Sequence, residues 1–135
     1  MSVLVDTDVW SEMLRKRTGE WSRQVLTLMH LIDEGETGIV VIGAVRQEVL
    51  SGVRERSQFE RMRDLLAEFP DRPVGTTEYV LAAEFFNTCR SRGVQGSNTD
   101  FLICACSASW GVPILTKDAD FALHAQHVPV QLYQG

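Results

Sequence analysis

The chain has 135 residues, 44% hydrophobic and 23% charged. That is the length of one domain with a globular composition, which excludes disordered, collagen-like and fibrous classes. Thirteen basic residues against eighteen acidic ones leave a net charge of −5, the opposite of the basic footprint of most nucleic-acid binders.

In chain order, Ser2-Val3-Leu4-Val5-Asp6 is a short apolar run ending in an acid and predicts a buried strand. A helix follows from about Val9 and is interrupted at Gly19-Glu20. Trp21, Val25, Leu28, Met29 and Ile32 recur at helical spacing and predict the next helix, ended by Gly35 and Gly38. Gly38 to Ile42 predicts a second buried strand, and a helix from Ala44 carries Val45, Val49 and Val53 on one line. Phe59, Met62, Leu65, Leu66 and Phe69 mark another amphipathic helix, closed by the turn Pro70-Asp71-Arg72-Pro73. Pro73-Val74 reads as a brief strand, and Thr76 or Thr77 as the cap of a helix running to about Arg90.

Ser97-Asn98-Thr99-Asp100 has the composition of a helix N-terminus before the all-round apolar run Phe101 to Ala105. Gly111-Val112-Pro113 stops that helix and starts a strand through Thr116. Lys117 to Phe121 opens a last short helix, and Val128 to Leu132 predicts an edge strand. Apolar strands alternating with amphipathic helices predict a parallel sheet covered on both faces. The expected architecture is a three-layer α/β/α sandwich, a single domain over residues 1–135.

The longest apolar run, Ile39 to Val45, spans seven residues, far from the ~20 of a membrane helix. The N-terminus has no basic stretch of the kind that opens a signal peptide, so a cytoplasmic location is expected. Cys89, Cys104 and Cys106 read as reduced core thiols, since residues two apart on a helix diverge by ~200°. His30, His124 and His127 show no ligand spacing. Arg15-Lys16-Arg17, the run Arg54, Arg56, Arg61, Arg63, and the pair Arg90 and Arg92 read as solvated helix faces that permit an RNA substrate without predicting one.

Open parallel sheets bind ligands beyond the carboxyl ends of their strands. Asp6 stands at one such end and Asp118 just past another, while Asp100 opens a helix. Glu48 lies ~60° around its helix from Val45 and ~40° from Ala44, at the margin of the core-facing stripe. Singly, the aspartates serve equally well as helix caps. Should the four converge, carboxylates ~5 Å apart repel by ~3 kcal/mol at an effective dielectric of 20. Such a nest needs a cation or a retained proton. Oxygen-only ligands select Mg²⁺ or Mn²⁺, and such ions support phosphodiester hydrolysis.

At these positions the sequence resembles a family. Val3-Leu4-Val5-Asp6-Thr7-Asp8-Val9-Trp10 resembles the opening motif of PIN domains, VapC-type toxin ribonucleases in particular. Val41 to Gly52, with Gln47-Glu48-Val49-Leu50, is similar to the family's second-acid helix. Thr99 to Ala105 is similar to its third-acid helix, and Gly111 to Phe121 to its fourth motif. The resemblance implies a metal-dependent endoribonuclease with Asp6, Glu48, Asp100 and Asp118 as its acids. Asp6 and Asp100 would hold Mg²⁺ or Mn²⁺, with Glu48 and Asp118 as further or water-mediated ligands and Thr116 as a supporting hydroxyl. It also implies a homodimer, an RNA substrate and a cognate antitoxin.

Gly43 departs from the Ser or Thr common at the head of the second-acid helix, which predicts a weaker cap. The fourth motif leaves both Asp118 and Asp120 open. Asp118 is favoured because a single residue separates it from the strand. Asp8 is expected to begin the first helix rather than to bind metal.

Two other classes fit parts of the pattern. Asp6-Thr7-Asp8 after a first strand also resembles a haloacid-dehalogenase-type phosphohydrolase with Asp6 as nucleophile, but Glu48 and Asp100 would then be idle. A phospho-receiver-like module would use Lys117 as its charged residue, but the middle strand end, Ile42-Gly43, carries no acid. No glycine-rich nucleotide loop is present.

Overall fold

Strand β1 (Ser2–Val5) carries three aliphatic residues in succession, Val3, Leu4 and Val5, and all three are fully buried. A strand apolar on both faces must lie inside a covered sheet. It does so here: β1 pairs in parallel with β2 (Gly38–Val40) on one side and β3 (Ile114–Leu115) on the other, giving the order β2-β1-β3. The computed structural model describes residues 1–15 and 18–134. Lys16 and Arg17 of the first basic run lie outside the described residues.

The helices are α1 (Thr7–Arg15), α2 (Arg23–Glu34), α3 (Gly43–Leu50), α4 (Arg56–Leu66), α5 (Thr76–Ser91), α6 (Asn98–Trp110) and α7 (Asp120–His124). α1 packs against α2, α3 and α4, whereas α5 packs along α6. Together they cover the parallel sheet as an α/β/α sandwich. No helix among the described residues is long and apolar enough to cross a membrane. The expected strong burial of α6 holds, with Phe101 to Ser107 all buried.

Several boundaries differ from the sequence expectations, each for a local reason. The strand expected at Pro73-Val74 is replaced by an isolated parallel bridge between Val41 and Asp71. Arg72 N donates to Val41 O at 2.8 Å there, a bond that Pro73 has no N–H to make. The edge strand expected at Val128 to Leu132 is reduced to one bridge, Ile114 to Leu132. Gly75, not Thr76 or Thr77, caps α5, with its N–H donating to Glu78 Oε1 at 3.1 Å. Ile42 precedes α3 without a side-chain cap, the weak start that Gly43 predicts.

The basic run on α4 is not a uniformly solvated face. Arg56 and Arg63 make exposed pairs with Glu60 and Asp64, but the Arg61 guanidinium donates to Leu14 O at the end of α1. Arg46 does the same for α4, donating to Leu66 O and Phe69 O while pairing with Asp71 at 2.9 Å. Cations at helix C-termini satisfy carbonyls left without an intrahelical partner.

Two glycines make opposite demands. A Cβ at Gly96 would fall 2.9 Å from Phe101 Cε2 and 3.0 Å from His124 Nε2, both in fully buried rings. A Cβ at Gly43 would meet only Asp71 Oδ2, at 3.7 Å. Urea unfolding should therefore show Gly96→Ala costing about 1–3 kcal/mol and Gly43→Ala gaining about 0.5 kcal/mol. Equal midpoints for the two variants would contradict this packing.

Candidate active site

β1 ends at Asp6, and α1 begins on its carboxylate. Thr7 N donates to Asp6 Oδ1 at 2.7 Å, a capping bond. The other oxygen, Oδ2, accepts from Thr116 Oγ1 at 2.8 Å, just past β3. Asp6 is 4% exposed. Burial first, and then the neighbouring Asp8 carboxylate, push its pKa up to about 7 against the two hydrogen bonds, with Asp100 adding to the rise.

Asp8 lies in the first turn of α1 and faces the same place. Burial raises its pKa, while hydrogen bonds accepted from the Lys117 backbone and from Asp6 oppose the rise. Asp100 arrives from the opposite helical group. It closes the capping box of α6, with Asp100 N donating to Ser97 Oγ and Ser97 N donating to Asp100 Oδ2, both at 3.1 Å. Burial nevertheless raises its pKa, and Asp118 adds to the rise. Asp118 is half-buried in the loop after β3, its N–H bonded to Thr116 Oγ1 at 2.9 Å. Thr116 is thus a hinge between two acids, donating to Asp6 and accepting from Asp118.

Asp120 is exposed at the start of α7, and its N–H donates to Asp118 Oδ1 at 2.9 Å. Of the two acids in that segment, Asp118 is the one that acts on Asp100. Glu48 is exposed on α3 and makes no hydrogen bond or ion pair with the other acids among the described residues. The structure couples these acids in a chain, Asp8 and Asp100 each acting on Asp6 and Asp118 on Asp100, and no such coupling reaches Glu48 among the described residues.

Sequence reasoning passed over Asp8, Glu12 and Lys117 as a unit. Lys117 Nζ sits 2.6 Å from Glu12 Oε1, and Ser22 N donates to Glu12 Oε2 at 2.8 Å. The Lys117 hydrogen bond is the main reason the Glu12 pKa falls to about 2. A signal existed. Asp8 and Glu12 are spaced i, i+4 and therefore share one face of α1, which places Glu12 beside the site once Asp8 is there.

Among the described residues, no three His, Cys, Asp or Glu side chains are arranged to hold a metal ion. The donor chemistry still fits a hard cation. Asp6, Asp8, Asp100 and Asp118 offer carboxylate oxygens and Thr116 a hydroxyl, and the hydrogen bonds that Asp6 accepts do not offset the cost of ionising it.

The pattern of the PIN domain family matches residues 3–126. The chain belongs to the PIN domain family. Its fold is similar to three solved PIN-sized chains. One is from VapBC2 of Rickettsia felis bound to a promoter DNA fragment (TM-score 0.76, 15% identity, 98% of each chain covered). Another is from FitAcB of Neisseria gonorrhoeae (0.71, 16%, 99% of this chain and 97% of that one). A third is from VapBC-5 of Mycobacterium tuberculosis, a member of the VapBC family of toxin-antitoxin systems (0.65, 18%, 99% and 98%). The search of curated proteins returned no match.

The raised carboxyl sets the pH behaviour of this PIN chain. The protonated form of Asp6 favours the fold, so its contribution is complete below about pH 4 and is lost as pH rises through about 7. Free of divalent ions, the wild type should lose stability across that window by a few kcal/mol more than Asp6→Asn. Calorimetry at matched ionic strength measures the difference. Parallel pH curves for the two proteins would show that Asp6 ionises freely.

Proposed function

We propose that this PIN chain is a magnesium- or manganese-dependent endoribonuclease, the cytoplasmic toxin of a type II toxin–antitoxin pair. The observation that carries the reading is the crowding of Asp6, Asp8, Asp100 and Asp118 beyond the carboxyl ends of the strands, with Asp6 buried and uncompensated. Asp6 and Asp100 would hold the ion, with Asp118 beside them and Glu48 joining through water. A divalent ion there supplies Lewis-acid polarisation of a phosphodiester and a more acidic water. The chain's own residues do the rest. Thr7 and Thr116 fix both oxygens of Asp6, Thr116 ties the Asp118 backbone to it, and Glu12 holds the Lys117 ammonium at the rim, where a phosphate would approach.

The nucleophilic-aspartate and phospho-receiver readings lose their ground in a PIN domain. Both also leave Asp100 without a role, whereas it acts electrostatically on Asp6.

A partner segment has a place to sit. A groove of about 760 Å³ is lined by Trp10, Met13, Met29, Ile32, Leu65 and Phe69, with Asp33 and Glu68 also in its wall. Apolar walls with acidic groups suit an amphipathic antitoxin segment bearing basic residues. Tyr79 and Val80, more than half exposed on α5, offer apolar surface to a second copy.

Asp6→Asn and Asp100→Asn should each lower cleavage of single-stranded RNA by more than ~100-fold, with the fold intact by circular dichroism. Undiminished cleavage by both variants, or full activity in excess EDTA, overturns the nuclease. Co-expression with the adjacent small reading frame should yield a complex that Leu65→Glu weakens at least ~10-fold. Light scattering should give a dimer. A monomer at ~100 μM that never co-purifies with that product removes the toxin assignment.

A further inference from the structure

We infer that a second, polar cavity next to the acids is a subsite for one nucleotide of single-stranded RNA flanking the scissile phosphate; this rests on the ribonuclease reading. The cavity, about 180 Å³, is lined by Arg23, Gln24, Thr27, Thr116, Tyr133 and Gln134. One residue joins it to the acids: Thr116 forms part of its wall and donates its hydroxyl to Asp6 at 2.8 Å. A strand whose phosphate lies on the acids would reach this cavity by passing its neighbouring nucleotide across Thr116.

The lining has the chemistry that such a nucleotide requires. Single-stranded RNA is recognised by stacking unstacked bases on aromatic or guanidinium planes and by hydrogen bonds to their edges. Tyr133 supplies the ring, and its backbone N–H donates to Ile114 O at 2.7 Å, fixing it at the outer edge of β3. Gln24 and Gln134 supply amides that both donate and accept. Arg23 supplies a cation. Neither its guanidinium nor the Gln24 amide has a hydrogen-bond or ion-pair partner among the described residues. Lys117, by contrast, is already committed to Glu12. In a chain of net charge −5, an exposed arginine without a carboxylate partner among the described residues, lining a cavity beside these acids, is placed to receive an anion.

The test uses the full chain with Mn²⁺ and a pool of single-stranded RNA randomised around its centre, with product ends sequenced. The same pool measures binding to the Asp6→Asn chain across a salt series. The wild type should show a base preference at one position beside the cut. Tyr133→Ala and Gln24→Ala should flatten that preference, and Tyr133→Ala should lower kcat/KM by ~10- to 100-fold. Tyr133→Phe should restore most of the rate. Arg23→Gln in the Asp6→Asn background should reduce the slope of log K against log salt by ~0.7, the loss of one phosphate contact.

Variants that cleave with wild-type rate, preference and salt slope overturn the subsite and leave the nuclease standing. Binding that depends on Arg23 and Tyr133 without cleavage by the wild type keeps the subsite and removes the nuclease. A pool neither cut nor bound removes both. Tyr133 packs partly against the core, so if Tyr133→Ala does not fold, Arg23→Gln and Gln24→Ala, in the first turn of α2, decide.

Discussion

A carboxylate has been placed almost wholly out of water, at the end of the central strand, and much of the molecule is arranged around that constraint. Moving a charge out of water costs several kcal/mol even after relaxation, more than the ~1 kcal/mol that a helix cap returns. Asp6 has two hydrogen-bond donors, Thr7 N and Thr116 Oγ1, and the second comes from 110 residues away in sequence. That bond requires β3 to lie beside β1, which the order β2-β1-β3 provides. The sheet topology and the acidic site are therefore one problem: a different strand order would leave Asp6 with one donor and Thr116 with nothing to hold.

The same contest is decided the same way at Asp100. Its position in the first turn of α6 is favourable twice over, by the capping box and by the helix dipole, and in solution that would lower its pKa. Instead burial and Asp118 raise it. Two structural caps from opposite helical groups thus end as neighbouring groups that resist ionisation. The cap explanation and the site explanation are not rivals here. The capping bonds hold the carboxylates still, and the crowding gives them an affinity for positive charge that an exposed cap does not have.

Legibility followed the range of the interactions. β1, α2 and α6 stood out because their burial is written in the apolar pattern: the unbroken Val3-Leu4-Val5, the helically spaced Val25, Leu28 and Leu31, and the unbroken Phe101 to Cys106. The PIN resemblance was carried by four short motifs, around Asp6, Glu48, Asp100 and Asp118. Boundaries decided by a single backbone bond were not readable. The bridge at Asp71 instead of Val74 depends on which N–H finds Val41 O, and the cap of α5 on Glu78 reaching back to Gly75. Asp8 was read as a helix opener, and it is one, but its second face is visible only when β3 brings Lys117 alongside. Glu48 shows the limit from the other side. Its angular position suited the core margin, yet α3 is short and its Glu48 face stays exposed, because helical periodicity fixes which residues share a face and not how far that face leans toward a distant acid.

An acidic protein that acts on a polyanion has to keep its cations from spending themselves on its own carboxylates. Four of the basic residues are so engaged among the described residues: Arg56 with Glu60, Arg63 with Asp64, Arg46 with Asp71 and two carbonyls, Lys117 with Glu12. Exposed pairs of this kind contribute little to stability, ~0–1 kcal/mol, so their effect is chiefly on the electrostatic map, where they cancel. At the rim of the acids the cancellation is incomplete in a useful direction. Glu12 is held ionised by Lys117 and by Ser22 N, which keeps the ammonium within reach of the nest without letting it fall in and neutralise Asp6. The carboxylates keep their demand for an added cation, the lysine stays at the edge, and the field a nucleic acid meets on approach is set less by the net charge than by which few basic groups have been left without a partner.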